Sequence, residues 1–271
     1  MNLAVAVVVG VAAGLHAATW GMFKDAPYEG FSWPTYLRSP CVAGVAAVAI
    51  AVAGDFPSTA AADIAVLFGL TYVVERGINE FYKTFLREED QAKYSIPMQL
   101  SVQGKVVTNR RTRLVAGAGY AVGVIAVVLV IDAIGRQGDG GLAVVLIVGS
   151  LGGWISAFGG AWKDAPVEGF QPYKFVRSPF VALGYAFLLA ALTTDPVYAA
   201  FGALGYTVAT LESYKTFFKP NTPRGKFAGK EIRYPDWLER RYHFVPLFVA
   251  IWVGVVMAFV LALARPHSGL L

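Results

Sequence analysis

The chain has 271 residues, of which 56% are hydrophobic and 15% charged, and its formal net charge is +5 at pH 7. A soluble domain carries about 25% charged residues, so this composition excludes a globular protein that faces water on all sides. The apolar content excludes intrinsic disorder, and the single cysteine, Cys41, excludes a disulfide scaffold. Long apolar runs between polar connectors predict an all-α polytopic membrane protein.

Eight apolar segments are predicted, in chain order, to be transmembrane helices. They are Leu3–Phe23, Cys41–Gly54, Ala60–Tyr82, Leu114–Ile134, Gly141–Trp162, Phe180–Thr193, Val197–Tyr214 and Val245–Ala264. The first segment lacks a basic leader, which favours a retained helix over a cleaved signal peptide. The second and sixth segments follow prolines and are short. Helices of about 15 residues reach only ~22 Å, so these two are expected to be re-entrant or to cross a thinned bilayer.

The positive charges predict which side of the membrane each connector faces. If all eight segments cross, 21 of the 23 Lys and Arg residues lie on one side, and only Arg136 and Arg265 lie on the other. The positive-inside rule then places the basic connectors in the cytoplasm and both termini outside. We therefore expect a multi-pass protein of the cytoplasmic (inner) membrane.

An internal repeat divides the chain into two parts. Residues 24–40 read KDAPYEGFSWPTYLRSP, residues 163–179 read KDAPVEGFQPYKFVRSP, and 10 of the 17 positions are identical. Further along, EFYKTF at 80–85 matches ESYKTF at 212–217. The matches predict a tandem duplication of a four-helix unit, with repeats at residues 1–136 and 137–271. Four crossings per unit would relate the two repeats by a parallel pseudo-twofold axis.

The repeated motif has a purely structural interpretation. Pro27 and Gly30 suit a turn where the chain leaves the first span. The basic side chains suit snorkelling to lipid headgroups, and the aromatic residues suit an interfacial belt. On this interpretation Asp25 and Glu29 pair with neighbouring cations and bind no ligand.

A functional interpretation begins with the carboxylates and cations that the motifs keep together at one membrane surface. Carboxylates can hold Mg²⁺ while Lys and Arg hold phosphate oxygens, so the mixture suits a phosphate-bearing substrate. The predicted catalytic residues are Asp25, Glu29 and Glu80. The predicted substrate-binding cations are Lys24, Arg38, Arg76, Lys83, Lys163, Arg177 and Lys215. The predicted Mg²⁺ ligands are Asp25, Glu29, Asp164 and Glu168.

The third span distinguishes the two repeats. Arg76, Glu80 and Lys83 lie at i, i+4 and i+7, so they share one helix face. Ionisable groups near membrane depth are costly, which favours a functional role, although an Arg76–Glu80 pair that locks two helices is the alternative. The aligned positions of the second repeat are apolar at Val208 and Leu211. We therefore expect the first repeat to hold the working site and the second to be mainly architectural.

The long basic connector at 219–244 suits attraction to anionic headgroups, or a lid that carries Lys226 and Lys230 over the site. Nucleic acid is not an expected partner, because these cations lie against a membrane and no nucleic-acid module is visible. Small-xxx-small spacing allows close helix contact within one chain or in a homo-oligomer. The glycines concerned are Gly10, Gly14, Gly149 and Gly153.

Three functions from different classes fit the sequence. The first is a membrane enzyme, a lipid-modifying transferase that acts at the cytoplasmic interface on a phosphate-bearing lipid or nucleotide substrate. The second is a parallel-repeat transporter of an amphipathic or lipid-like anion, although few polar groups lie at mid-membrane. The third is a membrane scaffold or complex subunit. The position of a cavity discriminates among the three.

Overall fold

The chain is almost entirely helical in a computed structural model that describes residues 2–54, 56, 60–137, 141–220, 225–266 and 268–271. The helices are α1 (Leu3–Glu29), α2 (Trp33–Ala53), α3 (Ala61–Phe81), α4 (Arg110–Gln137), α5 (Leu142–Glu168), α6 (Pro172–Ala190), α7 (Pro196–Phe217), α8 (Trp237–Arg240) and α9 (Val245–Leu263). Short π- and 3₁₀-helical turns and one hairpin, β1 (Ser101–Val102) with β2 (Lys105–Val106), occupy the connectors. The all-α prediction is confirmed in this form.

Five of the described helices are long and apolar enough to cross a membrane. They are Leu3–Glu29, Trp33–Ala53, Arg110–Arg136, Leu142–Glu168 and the segment Trp237–Leu263 that joins α8 to α9. Several candidate spans of this length and composition indicate a membrane protein. The boundary predicted between the repeats falls at the end of α4, beside residues 138–140, which lie outside the described residues.

The prediction that the second and sixth segments are short helices is wrong. Helix α2 has 21 residues and α6 has 19, and both continue through an internal proline, Pro40 or Pro179. A proline inside a helix removes one backbone hydrogen bond, which membrane helices tolerate when neighbouring helices pack against the site. Each proline packs against a glycine of the preceding long helix, Gly14 on α1 or Gly153 on α5.

The repeated motif is also more helical than the sequence suggests. The KDAPxE part forms the last turns of α1 and α5, with Pro27 and Pro166 inside the helices. The turn comes at the following glycine, where Gly30 has φ +76° and Gly169 has φ +79°. Side chains other than glycine rarely adopt this left-handed conformation, so the turn depends on glycine rather than on the predicted proline.

Glycine faces hold the long helices close together. A Cβ at Gly10 or Gly14 would meet α2, and a Cβ at Gly149 or Gly153 would meet α6, each at less than 3 Å. These four glycines therefore pack inside the chain, and association of two copies through Gly-rich helix faces stays a prediction. At the centre, α3 crosses α7 at Gly69 and Gly205.

Aromatic residues fill the middle of the bundle around this crossing. Tyr206 donates a hydrogen bond to the Ala65 carbonyl at 2.7 Å and stacks on Phe68. His16 stacks on Phe248 with ring centroids 4.3 Å apart, and its Nδ1 lies 3.1 Å from the Tyr72 hydroxyl. His16 is thus a packing residue in the core.

Candidate functional site

One large cavity, of about 1630 Å³, lies at one end of the helices. The C-terminal ends of α1, α3, α5 and α7 line it, together with the N-terminal halves of α2 and α6. The connectors 82–109 and 219–244 complete the wall. Successive long helices therefore run in opposite directions, and both copies of both motifs meet at a single cavity.

Every residue that the sequence analysis assigns to the site lines this cavity. They are Lys24, Asp25, Glu29, Arg38, Arg76, Glu80, Lys83, Lys163, Asp164, Glu168, Arg177 and Lys215. Lys24 and Lys163, which are 139 positions apart in the chain, thus lie at the same end of the molecule. The lining alone does not assign a role to any of these residues, so the roles stay predictions.

The cavity has a strong excess of positive charge. Fifteen Lys and Arg residues line it in the described part of the chain, against seven Asp and Glu residues. Walls of low dielectric focus such a field and concentrate counter-ions inside the cleft. The cavity therefore favours an anionic ligand.

A chain of ion pairs runs along the predicted polar face of α3. The Glu80 carboxylate accepts hydrogen bonds from Arg76 Nη2 and from Lys83 Nζ, each at 2.6 Å. Arg76 also lies 3.8 Å from the buried Glu75, whose carboxylate accepts a hydrogen bond from Asn79 at 2.5 Å. Lys163 is close enough to act electrostatically on Lys83. Both repeats thus contribute charge to the same point, whereas the sequence analysis expected the second to be mainly architectural.

The first motif is closed by the long basic connector. Lys226 Nζ lies 2.9 Å from Asp25 Oδ2 and 3.1 Å from Glu29 Oε1. The Phe227 ring stacks on Tyr28 at 4.5 Å, and the Lys226 carbonyl accepts a hydrogen bond from the Ser95 amide. Burial lowers the pKa of Lys226, but the two carboxylates outweigh burial and raise it above its ordinary value. These contacts hold the connector over the first motif, which supports the interpretation of the connector as a lid.

Replacing Lys226 with methionine is expected to loosen this connector. The change leaves Asp25 and Glu29 without their shared cation, and an unpaired, partly buried carboxylate is costly. We expect the rate of limited proteolysis within 219–244 to rise roughly fivefold, measured on purified protein, because an opening cost of about 1 kcal/mol corresponds to that factor. Lys219→Met is the matched control, because Lys219 lies over the Tyr214 ring rather than on a carboxylate. Equal cleavage rates in the two variants would contradict the role of Lys226.

The second motif is more open. Glu168 pairs with Lys174 at 3.0 Å, but Asp164, Lys163 and Arg177 have no ion-pair partner within 4 Å in the described part of the chain. The Nε atom of Arg177 is buried and has no hydrogen-bond partner. Asp164 is thus the only one of the four motif carboxylates that lacks a cation at ion-pair distance, as judged from the described residues. These free groups are available to a ligand.

The helix dipole explains some of the cations but not all of them. Lys215 lies in the last turn of α7, where the macrodipole favours positive charge, whereas the last turns of α1 and α5 hold no basic residue. Arg38 and Arg177 lie in the N-terminal halves of α2 and α6, where the dipole gives a cation no stabilisation. Arg38, like Arg177, has no ion-pair partner within 4 Å among the described residues. The charge that these two arginines balance is therefore not supplied by the described protein.

The carboxylates do not fit a magnesium site made by protein alone. Within the described residues no group of three or more His, Cys, Asp or Glu is placed to hold a metal ion. Asp25 and Glu29 are bound to Lys226, and Glu168 is bound to Lys174. The predicted Mg²⁺ site stays a prediction.

No protein-family model, no curated protein and no solved structure matches this chain. The function is therefore inferred from the geometry and chemistry of the cavity.

Sequence reasoning missed several residues that shape the site. Tyr94 donates a hydrogen bond to Glu29 at 3.2 Å, and Trp162 Nε1 donates one to the Ser101 carbonyl in the hairpin at 3.0 Å. Arg241 donates one to the Phe23 carbonyl at 3.0 Å. In each of these three hydrogen bonds the donor and the acceptor are far apart in the sequence, so no local sequence pattern indicates the contact.

Proposed function

We propose that this is an integral membrane protein whose positively charged cavity binds a phosphate-bearing amphipathic substrate, and that it is a lipid-modifying transferase. The observation that carries the proposal is the pair of arginines at matched motif positions, Arg38 and Arg177, which line the cavity and have no ion-pair partner among the described residues. Arginine is the preferred residue for bidentate contacts to phosphate.

The proposal includes eight membrane crossings in two parallel repeats, residues 1–136 and 137–271. The matched local structure of the two motifs supports the duplication, since each ends a long helix with a positive-φ glycine and precedes a helix with proline near its start. The positive-inside rule places the cavity at the cytoplasmic surface and the termini outside. A cytoplasmic opening would give access to substrates from the cell interior.

The free groups of the cavity suit group transfer between a phosphate-bearing donor and a lipid. Lys163, Arg38 and Arg177 would hold the phosphate oxygens and neutralise charge as it develops on the leaving group. Asp164 would accept the proton of the attacking hydroxyl, because it is the carboxylate without a bound cation. Glu80 would position Arg76 and Lys83, to which it is already bonded.

A transporter of a lipid-like anion is the second candidate. One observation favours it: the cavity lies at one end of the helices while the middle of the bundle is packed around Tyr206 and Phe68. A transporter open on one side has this geometry. No observation on the described residues favours the scaffold.

The test reconstitutes the purified protein in vesicles with a lipid phosphate and a nucleotide panel. A transferase yields a new lipid product that mass spectrometry detects, and Asp164→Asn abolishes its formation. A transporter moves the labelled lipid phosphate between leaflets without chemical change. If neither product nor movement appears and no phosphate compound binds, the proposal is wrong.

Phosphate affinity is expected to fall as the pH rises from 7 to 9. Burial, together with the charges of Arg76 and Lys163, lowers the pKa of Lys83 to about 8, although Glu80 opposes the shift. Lys83 therefore carries its charge at pH 7 and loses most of it by pH 9, whereas a phosphate monoester, with a second pKa of ~6, is already mostly doubly ionised at pH 7.

Calorimetric titration with a phosphate monoester measures this effect, which we expect to reach about tenfold. Lys83→Arg is the matched variant, since arginine stays protonated throughout and should flatten the profile. An unchanged slope in Lys83→Arg would show that Lys83 does not bind the phosphate.

A further inference from the structure

We infer that the apolar depth of the cavity holds an acyl chain of the ligand, in a slot between α3 and α5 that glycine keeps open. The inference rests on the proposed function and specifies its substrate class as a phosphate with an attached alkyl or acyl tail. A free phosphate or a nucleotide would use only the charged end.

The cavity extends well below its charged end. The lining residues farthest from that end on α1, α3, α5 and α7 are Ala17, Val73, Ile155 and Leu204. Ile155 precedes Lys163 by eight residues, and Leu204 precedes Glu212 by eight, which corresponds to ~12 Å along each helix. All four side chains are apolar, so they favour contact with a hydrocarbon tail over contact with a polar group.

Glycines create the space between α3 and α5. Gly77 on α3 and Gly159 and Gly160 on α5 line the cavity, and a Cβ at any of them would meet no atom within 4 Å. They contrast with Gly69 and Gly205, where a Cβ would strike the neighbouring backbone. The lining glycines therefore do not serve helix packing, and they leave volume free.

Comparison of the two repeats shows that the slot lacks a tryptophan side chain. Alignment of the two KDAP motifs sets Gly159 against Trp20. In the first repeat the Trp20 indole is buried, donates a hydrogen bond to the Tyr72 hydroxyl at 2.8 Å and lies under the Arg76 guanidinium. In the second repeat the same position has no side chain. One copy of the cavity wall is thus filled with an indole and the other is open.

The slot reaches the outside of the bundle. Ile155 is 37% exposed and Tyr120 on α4 is 50% exposed, and both also line the cavity. Helix α4 packs on the end of α3 through Tyr120 and Phe85, whose ring centroids are 5.7 Å apart. A lipid tail could therefore enter from the bilayer between α3 and α5 while its phosphate reaches Lys163. Each methylene moved from water into apolar contact strengthens binding about fourfold.

The experiment compares inorganic phosphate, butyl phosphate and octyl phosphate by calorimetric titration of the intact protein in maltoside micelles. Octyl phosphate is expected to bind at least 30-fold more tightly than inorganic phosphate. Gly159→Trp, which places the indole of the first repeat in the slot, is expected to abolish the gain from the tail and leave phosphate affinity within threefold. Gly123→Trp on α4 is the matched control, because Gly123 also has nothing within 4 Å and does not line the cavity.

The outcomes separate this inference from the proposed function. Equal affinity for all three probes in the unmodified protein would contradict the acyl-chain slot. A gain from the tail that persists in Gly159→Trp would contradict it too. In either case phosphate binding, and with it the proposed function, would be unaffected. Absence of binding by any probe would overturn both. If Gly123→Trp loses the gain in affinity from the tail to the same extent, the gain comes from the micelle. That result would also contradict the acyl-chain slot.

Discussion

Replacing both Lys163 and Arg177 with glutamine is expected to weaken binding of a phosphate monoester at least 100-fold. Each is a cation that lines the cavity without an ion-pair partner in the described part of the chain. A charge-assisted hydrogen bond contributes about 1.5–3 kcal/mol, so each loss costs roughly tenfold or more. Glutamine keeps similar length and polarity, which limits damage to the fold.

Calorimetric titration of the purified variants measures this prediction. The matched control is the double variant Lys105→Gln and Arg111→Gln, which removes the same net charge from exposed positions outside the cavity. A comparable loss in the control would mean that only the general field of the protein matters. An unchanged affinity in the Lys163 and Arg177 variant would contradict the assigned anion site.

Replacing Gly205 with valine is expected to destabilise the protein by about 3 kcal/mol or more. A Cβ at this position would lie 2.0 Å from the Gly69 carbonyl oxygen and 2.9 Å from its carbon. Both are backbone atoms, which cannot rotate away, so α3 and α7 would have to separate along the crossing. Overpacking of a tight core costs about 1–3 kcal/mol, and a backbone clash exceeds that range.

The measurement is thermal unfolding in detergent, with Gly184→Val on α6 as the control, since nothing lies within 4 Å of a Cβ there. The control is expected to unfold within about 1 kcal/mol of the unmodified protein. If Gly205→Val unfolds like Gly184→Val, the close crossing of α3 and α7 is not present. Because α3 and α7 carry Glu80 and Glu212 to the cavity, a shift at the crossing should also weaken phosphate binding.

The error over α2 and α6 shows where a local rule misleads. Proline read from the sequence alone ends a helix, and Pro40 and Pro179 therefore defined the starts of two short segments. In the structure both prolines lie inside a helix, against a glycine of the neighbouring long helix. Packing of the two helices offsets the free-energy cost of the missing backbone hydrogen bond. This packing involves both helices, so the sequence of one segment alone does not predict it.

Composition and motif order were sufficient to predict a helical membrane protein and many of the charged residues that line the cavity. Apolar runs of membrane length, sparse charge and a repeat with 10 identities in 17 positions are all visible in the amino-acid sequence. The same count predicts that the charged connectors share one side, because connectors after odd spans share a face when every span crosses.

The pairing of these charges depends on the folded arrangement of the chain. Lys226 and Glu29 are 197 positions apart and joined at 3.1 Å, while Lys163 and Arg177, in a motif of nearly the same sequence, meet no carboxylate within 4 Å in the described chain. Pairing depends on distances between helices and connectors, which periodicity and composition do not encode. The open space beside Gly159 has the same origin, since a missing side chain becomes a slot only where no neighbouring helix closes it.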